Sequence, residues 1–522
     1  IPINFKIKYP PTNIQRILCV DAAYELSGNR RPFTDNQNAC LRNIFFNRRM
    51  EECKPIIIVN KYSKEDKPER YNLAEILQDE MKIYIPTIEE LKNQSEVGEG
   101  KININTASKE ILMGLPGVAY LTGFADAGWT AIGLAIGTYL NWLVVAKRLR
   151  RYTVKAGNSI TLPEFFSNRY RDKSKSILAI SAIFIVIFFV PYTASGFAAC
   201  GKLFSTLFDI PYLPAMVVSA IIIVAYTALG GYLAASTTDL IQSIIMSLAL
   251  VIVVIFGINV AGGFDAVVHN AKSLDGYLSL FTSHNPATGE GVAYSGLSIA
   301  SAMAWGLGYF GMPHILLRFM GIEDENKLKI SRRIASIWVV ISMFVAIVIG
   351  VIGYGMSQAG AIEKFANSSE SETLIIRVAM LLSENGILAI VMAGLILAGI
   401  LACTMSTADS QLLAASSSVS KNLLVDCAGM KLSQKASMLA ARATVLGIAV
   451  IGVVIAWNPN SSVFKIVSFA WAGFGAVFGP VMLASLFWKR SNKYGALAGM
   501  IVGGVMVFVW KYLIAPIGGV WA

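Results

Sequence analysis

From Met113 onward, long apolar stretches follow one another with basic loops between them. A stretch of about 20 apolar residues crosses the hydrocarbon of a bilayer as a helix, and only helices or closed barrels satisfy their backbone groups there. Ten such stretches are read, at 127–146, 177–201, 212–231, 240–262, 293–315, 334–356, 387–413, 441–457, 464–488 and 494–514. Gly and Pro recur inside them, which membrane helices tolerate where neighbours re-satisfy the backbone.

Composition agrees with that pattern. The 522 residues are 55% hydrophobic and only 15% charged, with mean hydropathy +0.58; soluble chains carry about a quarter charged residues. Such a balance excludes a disordered chain, a nucleic-acid-binding protein as a whole, and most cytosolic enzymes. Six cysteines without a C-x-x-C spacing indicate neither a zinc site nor a disulfide framework. His269, His284 and His314 leave little room for histidine-based metal chemistry. No nucleophile–base pair, phosphate loop or metal-ligand cluster suggests an enzyme.

The net charge of +11 is distributed unevenly. Counting loops alternately, one set holds Lys147–Lys155, then Arg169, Arg171, Lys173 and Lys175. The same set holds Arg318, Lys327, Lys329, Arg332 and Arg333, then Lys421, Lys431 and Lys435, and finally Lys489, Arg490 and Lys493. The other set holds little beyond Lys202, Lys272, Lys364, Arg377 and Lys465, a ratio of roughly four to one. The richer set is cytoplasmic by this rule, so the first full span runs from outside to inside. Residues 1–111 differ from the rest: they are polar, with no apolar run long enough to span, and read as a soluble segment. The start at Ile1, with no apolar signal segment, suggests a processed or incomplete chain.

Polar residues inside a span are costly and mark functional candidates. The stretch Thr404–Gln411 concentrates hydroxyl, carboxyl and amide groups, with Ser406 and Thr407 at its centre. Their hydroxyls suit a hard monovalent cation such as sodium; they equally suit bonds to the carbonyl one turn back or to a neighbouring helix. A second candidate pairs Trp305 and Tyr309 four residues apart, followed by Pro313 and His314, with Gly306, Gly308 and Gly311 allowing close approach. Pro313 removes a backbone hydrogen bond, and a broken helix with an aromatic wall is how transporters build a midplane site; an interfacial aromatic pair is the alternative. His314 reads as a helix-end histidine rather than a proton carrier. Asp239, after Ser236-Thr237-Thr238, either caps a helix or lines an ion exit path.

The runs Leu112-Met-Gly-Leu-Pro-Gly117, Gly137-Thr-Tyr-Leu-Asn-Trp-Leu143, Gly157-Asn-Ser-Ile-Thr-Leu-Pro163, Gly306-Leu-Gly-Tyr-Phe-Gly311, Met405-Ser-Thr407 and Phe469-Ala-Trp-Ala-Gly-Phe-Gly475 resemble the sodium:solute symporter family, most closely its proline-transporting members. The resemblance covers about residues 112–522. It implies an all-α polytopic membrane fold, a leucine-transporter-type core of inverted repeats, multi-pass in a bacterial cytoplasmic membrane. It also implies side-chain oxygens of Ser406 and Thr407 on sodium, a proline pocket shaped by Trp305, Tyr309 and Pro313 with Tyr192 nearby, and Asp239 near the sodium route. Met312 stands where the proline-transporting members usually carry Gln.

Other features depart from the family. Its first half-helix, which contributes backbone carbonyls and an aspartate to sodium, is replaced by Asn103-Ile-Asn-Thr106-Ala-Ser108-Lys109-Glu110, with Thr106 at the aspartate position. The carboxyl end stops at Ala522, where the family continues for one more span. The stretches Asn72–Pro86 and Lys101–Gly117 resemble the competence DNA-uptake receptor family, with a small β-grasp-like α+β domain and a partial helix-hairpin-helix. Ala119 replaces that motif's second glycine. A hybrid chain joined near Leu112–Gly117 is the simplest account, with weak or absent activity expected for lack of the first half-helix.

The expected function is therefore sodium-coupled symport of proline by alternating access, with no enzymatic activity and nucleic acid an improbable partner. The alternatives are a symporter of another small organic solute, and a membrane-tethered DNA-binding receptor.

Overall fold

A computed structural model of the chain describes residues 109–322, 325 and 327–518, apart from the side chains of 109–111, 229–240 and 434. Residues 1–108, which hold most of the expected soluble segment, of its β-grasp-like and helix-hairpin-helix elements and of the stretch in place of the half-helix, lie outside the described residues; the expected junction near Leu112–Gly117 falls within the described helix Lys109–Thr122.

The described part is almost wholly helical. Helix α1 (Lys109–Thr122) is followed by α2 (Phe124–Leu140), which runs through a π-helical turn at Asn141–Ala146 into α3 (Lys147–Lys155). Next come α4 (Leu162–Arg169), α5 (Ser176–Phe208), α6 (Tyr212–Val260) and α7 (Phe264–Lys272). A small antiparallel hairpin, β1 (Thr282–His284) with β2 (Gly291–Ala293), precedes α8 (Gly296–Met303), a 3₁₀ segment (Ala304–Phe310) and α9 (Pro313–Gly321). The chain continues as α10 (Leu328–Gln358), α11 (Ser368–Ser371), α12 (Leu374–Ser383), α13 (Ile387–Ser417), α14 (Gln434–Ile455), α15 (Val463–Phe487) and α16 (Lys493–Val509).

Local chemistry sets many of the starts. Thr161, Ser433, Ser462 and Asn492 each turn a side-chain oxygen onto a free N–H of the following helix. Among the described residues, eight helices are long and apolar enough to cross a membrane. The remaining two of the ten expected spans take other forms. Those at 212–231 and 240–262 share the single helix α6, whose amino-terminal part, Tyr212–Ala228, is a shorter apolar helix. The span at 293–315 is interrupted, and its first residue, Ala293, lies in β2.

Burial follows the hydropathy. The main core gathers large side chains of α2, α5, the 3₁₀ segment, α9, α13 and α15, among them Phe188, Phe189, Tyr192, Tyr309, Phe319 and Phe474, all at most 1% exposed. A second core joins α6, α10, α12 and α13. Outward faces are apolar as well: Ile241, Ile244, Leu248, Val251 and Ile255 form a helical stripe on α6, each more than half exposed. A stripe of that kind belongs against lipid rather than water.

The basic loops that the sequence assigns to one side are bonded to one another and to helix ends. Lys421 pairs with Glu164 at 2.8 Å, Lys493 with Asp172 at 2.7 Å, and Arg151 with Glu325 through two bonds of 2.6 and 2.8 Å. Arg150 donates to the Met320 carbonyl at the end of α9, while Arg148 and Arg169 donate to the Leu486 and Ser485 carbonyls at the end of α15. Cations near the last carbonyls of a helix complement its dipole. These residues therefore cap helices in addition to orienting them.

Candidate solute and ion site

The interruption between α8 and α9 lies where the sequence places it. Across Gly306, Gly308 and Gly311 the chain tightens into the 3₁₀ segment, and Met312 adopts an extended conformation (φ −75°, ψ 108°) before Pro313 opens α9. The glycines are needed for contact. A Cβ on Gly306 would overlap the backbone of Gly133 on α2, and one on Gly308 would overlap the indole of Trp471 on α15.

Trp305 and Tyr309 both meet Trp471. The Trp471 ring stands 6.1 Å from Trp305 and 5.1 Å, edge-on, from Tyr309, and its Nε1–H donates to the Trp305 carbonyl at 2.7 Å. The Tyr309 carbonyl accepts from Asn141 Nδ2 at 3.0 Å. Backbone carbonyls released by the irregular segment are thus satisfied by side chains of α15 and of the π turn after α2. Beyond the break, Pro313 and His314 are buried, and the His314 ring lies 5.9 Å from Phe189 and 6.3 Å from Tyr192. Tyr192 on α5 is therefore brought to the amino end of α9. The structure joins Trp305 and Tyr309 through Trp471, and sets Pro313, His314 and Tyr192 on the other side of Gly311–Met312.

Ser406 and Thr407 lie in α13 and are buried, and both hydroxyls donate to one carbonyl, that of Cys403, at 3.2 Å. Each hydroxyl oxygen keeps lone pairs that can face a cation. The same stretch is tied to the other elements of the site: Thr193, next to Tyr192, donates to Gln411 Oε1 at 3.3 Å, and Arg318 of α9 donates to Ser410 Oγ at 2.9 Å. Thr404 donates to the Ile400 carbonyl at 3.1 Å, and Gly196 on α5 comes close to its methyl group. Asp239 lies within helical backbone of α6, and its side chain is outside the described residues. Among the described residues no cluster of three or more His, Cys, Asp or Glu could hold a metal; the polar groups gathered here are hydroxyls, amides and carbonyls, together with the buried Asp409 carboxylate and the Arg318 guanidinium.

Sequence reasoning gave no role to Trp471 or Asn141, although both lie in runs that carry the family resemblance. A single tryptophan within an apolar helix has no local signal separating a wall residue from core. Gly473 and Gly475, which follow it at close contacts with Phe188 and Gly308, are the nearest indication.

Comparison with known proteins bears on the whole of this unit. Residues 101–503 match the model of the sodium:solute symporter family. The chain is 41% identical over 400 residues to a high-affinity proline transporter of Bacillus subtilis, covering 77% of this chain and 80% of that one. It is 42% identical over 409 residues to a sodium/proline symporter of Haemophilus influenzae, covering 77% and 78%. A solved Na+-coupled sialic acid symporter, in a substrate-bound outward-open state, aligns with TM-score 0.61 at 16% identity over 81% of this chain and 90% of its own. That alignment bears on the fold, and the all-α, leucine-transporter-type architecture expected from the sequence is the one found. With its multiple apolar helices, its interrupted helix and a family match spanning most of its length, the chain belongs to the sodium:solute symporter family.

Proposed function

We propose that this chain couples sodium entry to the uptake of proline across a bacterial cytoplasmic membrane. The observation that carries the reading is the helix break at Gly311–Met312, walled by Trp305, Tyr309 and Trp471 on one side and Tyr192 on the other. It occurs in a chain about two-fifths identical, over most of its length, to proteins named for proline transport.

Proline offers an apolar ring, a secondary ammonium and a carboxylate. Aromatic faces suit the first two, through packing and attraction of the cation to the ring. The amino end of α9, opening at Pro313, favours the carboxylate. Ser406 and Thr407 give side-chain oxygens to sodium, a hard cation that prefers such donors. Asp239 serves the sodium route. Sodium binding to α13 would stabilise the outward-open state and complete the solute pocket through the ties from Gln411 to α5 and from Ser410 to α9. Closure and release to the cytoplasm follow. By linkage, sodium must raise proline affinity by the same factor as proline raises sodium affinity. The direct test is radiolabelled proline uptake into proteoliposomes with an inward sodium gradient and without one; equal uptake in both overturns the reading.

A further inference from the structure

Away from the loops rich in basic residues, on the side to which the charge pattern assigns Lys202, Lys202 and Glu372 form an ion pair of 2.7 Å with side chains only 8% and 6% exposed. Lys202 sits near the end of α5, and Glu372 follows α11. A buried pair is worth keeping only if every remaining donor and acceptor is met, and here they are. Lys202 Nζ also donates to Ser369 Oγ at 2.8 Å and to the Ser369 carbonyl at 3.3 Å. Glu372 further accepts from Ser462 Oγ at 2.7 Å and from the N–H groups of Val463 and Phe464 at 3.0 Å each.

Those last three donors are the start of α15, whose first turn is thus closed by a carboxylate supplied from another part of the chain. Two consequences reach the solute pocket. Phe464 holds its ring 5.0 Å from Trp305. Trp471, farther along the same helix, donates to the Trp305 carbonyl and meets Tyr309 edge-on. Ser369 and Ser462, which bond the pair, also line a cavity of about 700 Å³.

We propose that Glu372, fixed by Lys202, is a positioning residue for the solute pocket: it sets the start of α15 and, through Phe464 and Trp471, the placement of Trp305 and Tyr309. The assignment rests on the transport reading above for its solute, but its geometry is independent of it.

The test uses Glu372→Gln, Lys202→Met and the double variant, each in the full chain. Each single change leaves a buried group mismatched, while the double change removes both charges, so the effects should be strongly non-additive. Expected are a roughly tenfold rise in the proline KM for each single variant with maximal rate within about twofold, and a KM within about threefold of the parent for the double. Unchanged KM in the singles, or an additive double, overturns the proposal, as does a loss of thermal stability without a change in KM. Ser462→Ala removes only one donor to Glu372 and keeps the test open if the charge variants do not fold; a KM rise of about threefold is expected, and no rise counts against the proposal. A second readout needs no transport. Val463→Cys is buried beside Glu372 and should react slowly with a membrane-impermeant maleimide. Adding Glu372→Gln should speed its labelling at least fivefold, and unchanged labelling overturns the proposal. If the parent chain moves no proline while labelling still responds, the transport reading has failed and the positioning of α15 has not.

Discussion

Trp471 donates its indole N–H to the backbone carbonyl of Trp305 at 2.7 Å, across 166 residues of sequence. The bond satisfies a carbonyl in the 3₁₀ segment and lays one indole beside another. A break in a membrane helix thereby becomes a fixed wall.

Trp471→Phe keeps a ring for Tyr309 but leaves the Trp305 carbonyl without its donor. A buried acceptor left unmet costs about 1–3 kcal/mol. Proline KM should rise about five- to tenfold with sodium dependence retained, measured by initial uptake rates in proteoliposomes. Trp471→Ala should be worse, since the ring contacts to both aromatics go as well.

Gly306→Ala and Gly308→Ala place a methyl group against the Gly133 backbone and the Trp471 indole, respectively. Overpacking of this kind costs about 1–3 kcal/mol. Thermal unfolding in detergent should fall for both and be nearly unchanged for Gly296→Ala, where a Cβ meets nothing within 4 Å. Gly306→Ala should be the more damaging, because backbone cannot move aside as a side chain can.

Ser406→Ala and Thr407→Ala separate a cation role from a purely local one. Both hydroxyls bond the Cys403 carbonyl. If that were all they did, losing one would leave the sodium concentration for half-maximal uptake unchanged. The expected result is a rise of tenfold or more for each, and a larger rise for the double variant. Thr404→Ala, whose hydroxyl bonds the Ile400 carbonyl in the same manner, should change it little.

Asp172 supplies a pH prediction outside the spans. Burial alone would raise its carboxyl, but hydrogen bonds from Lys493, Ser174 and the Ile177 N–H, with the Lys493 charge, outweigh burial and hold it below its ordinary value. A depressed folded-state value means the ionised form's contribution is complete above the unfolded value, about 3.9, and is lost as pH falls through the folded one. Melting temperature should therefore change little on this account between about pH 7 and pH 5 and drop below about pH 4. Asp172→Asn should be less stable than the parent at neutral pH and lack that acid-induced loss; a parallel acid profile in both proteins would sink the assignment.

The spans, their sequence and the loops that share one side were legible without any coordinates. Hydropathy acts over a local window, and lipid imposes helix on any apolar run that must satisfy its own backbone. A break near Pro313 is expected from proline and clustered glycine, but the same combination at Gly473–Pro480 stays helical within α15, so the surrounding structure shares in placing it. Tertiary structure alone decided the rest. Two expected spans became one continuous α6, because no helix breaker of sufficient strength separates them and packing governs where such a chain bends. Tyr192 reached His314, Trp471 reached Trp305, and Lys202 reached Glu372, 170 residues away, through contacts that no local pattern encodes. A lysine near a helix end and a glutamate in a connecting segment read as solvated charges. Only the folded chain brings them together, buries them, and closes the first turn of α15 with them.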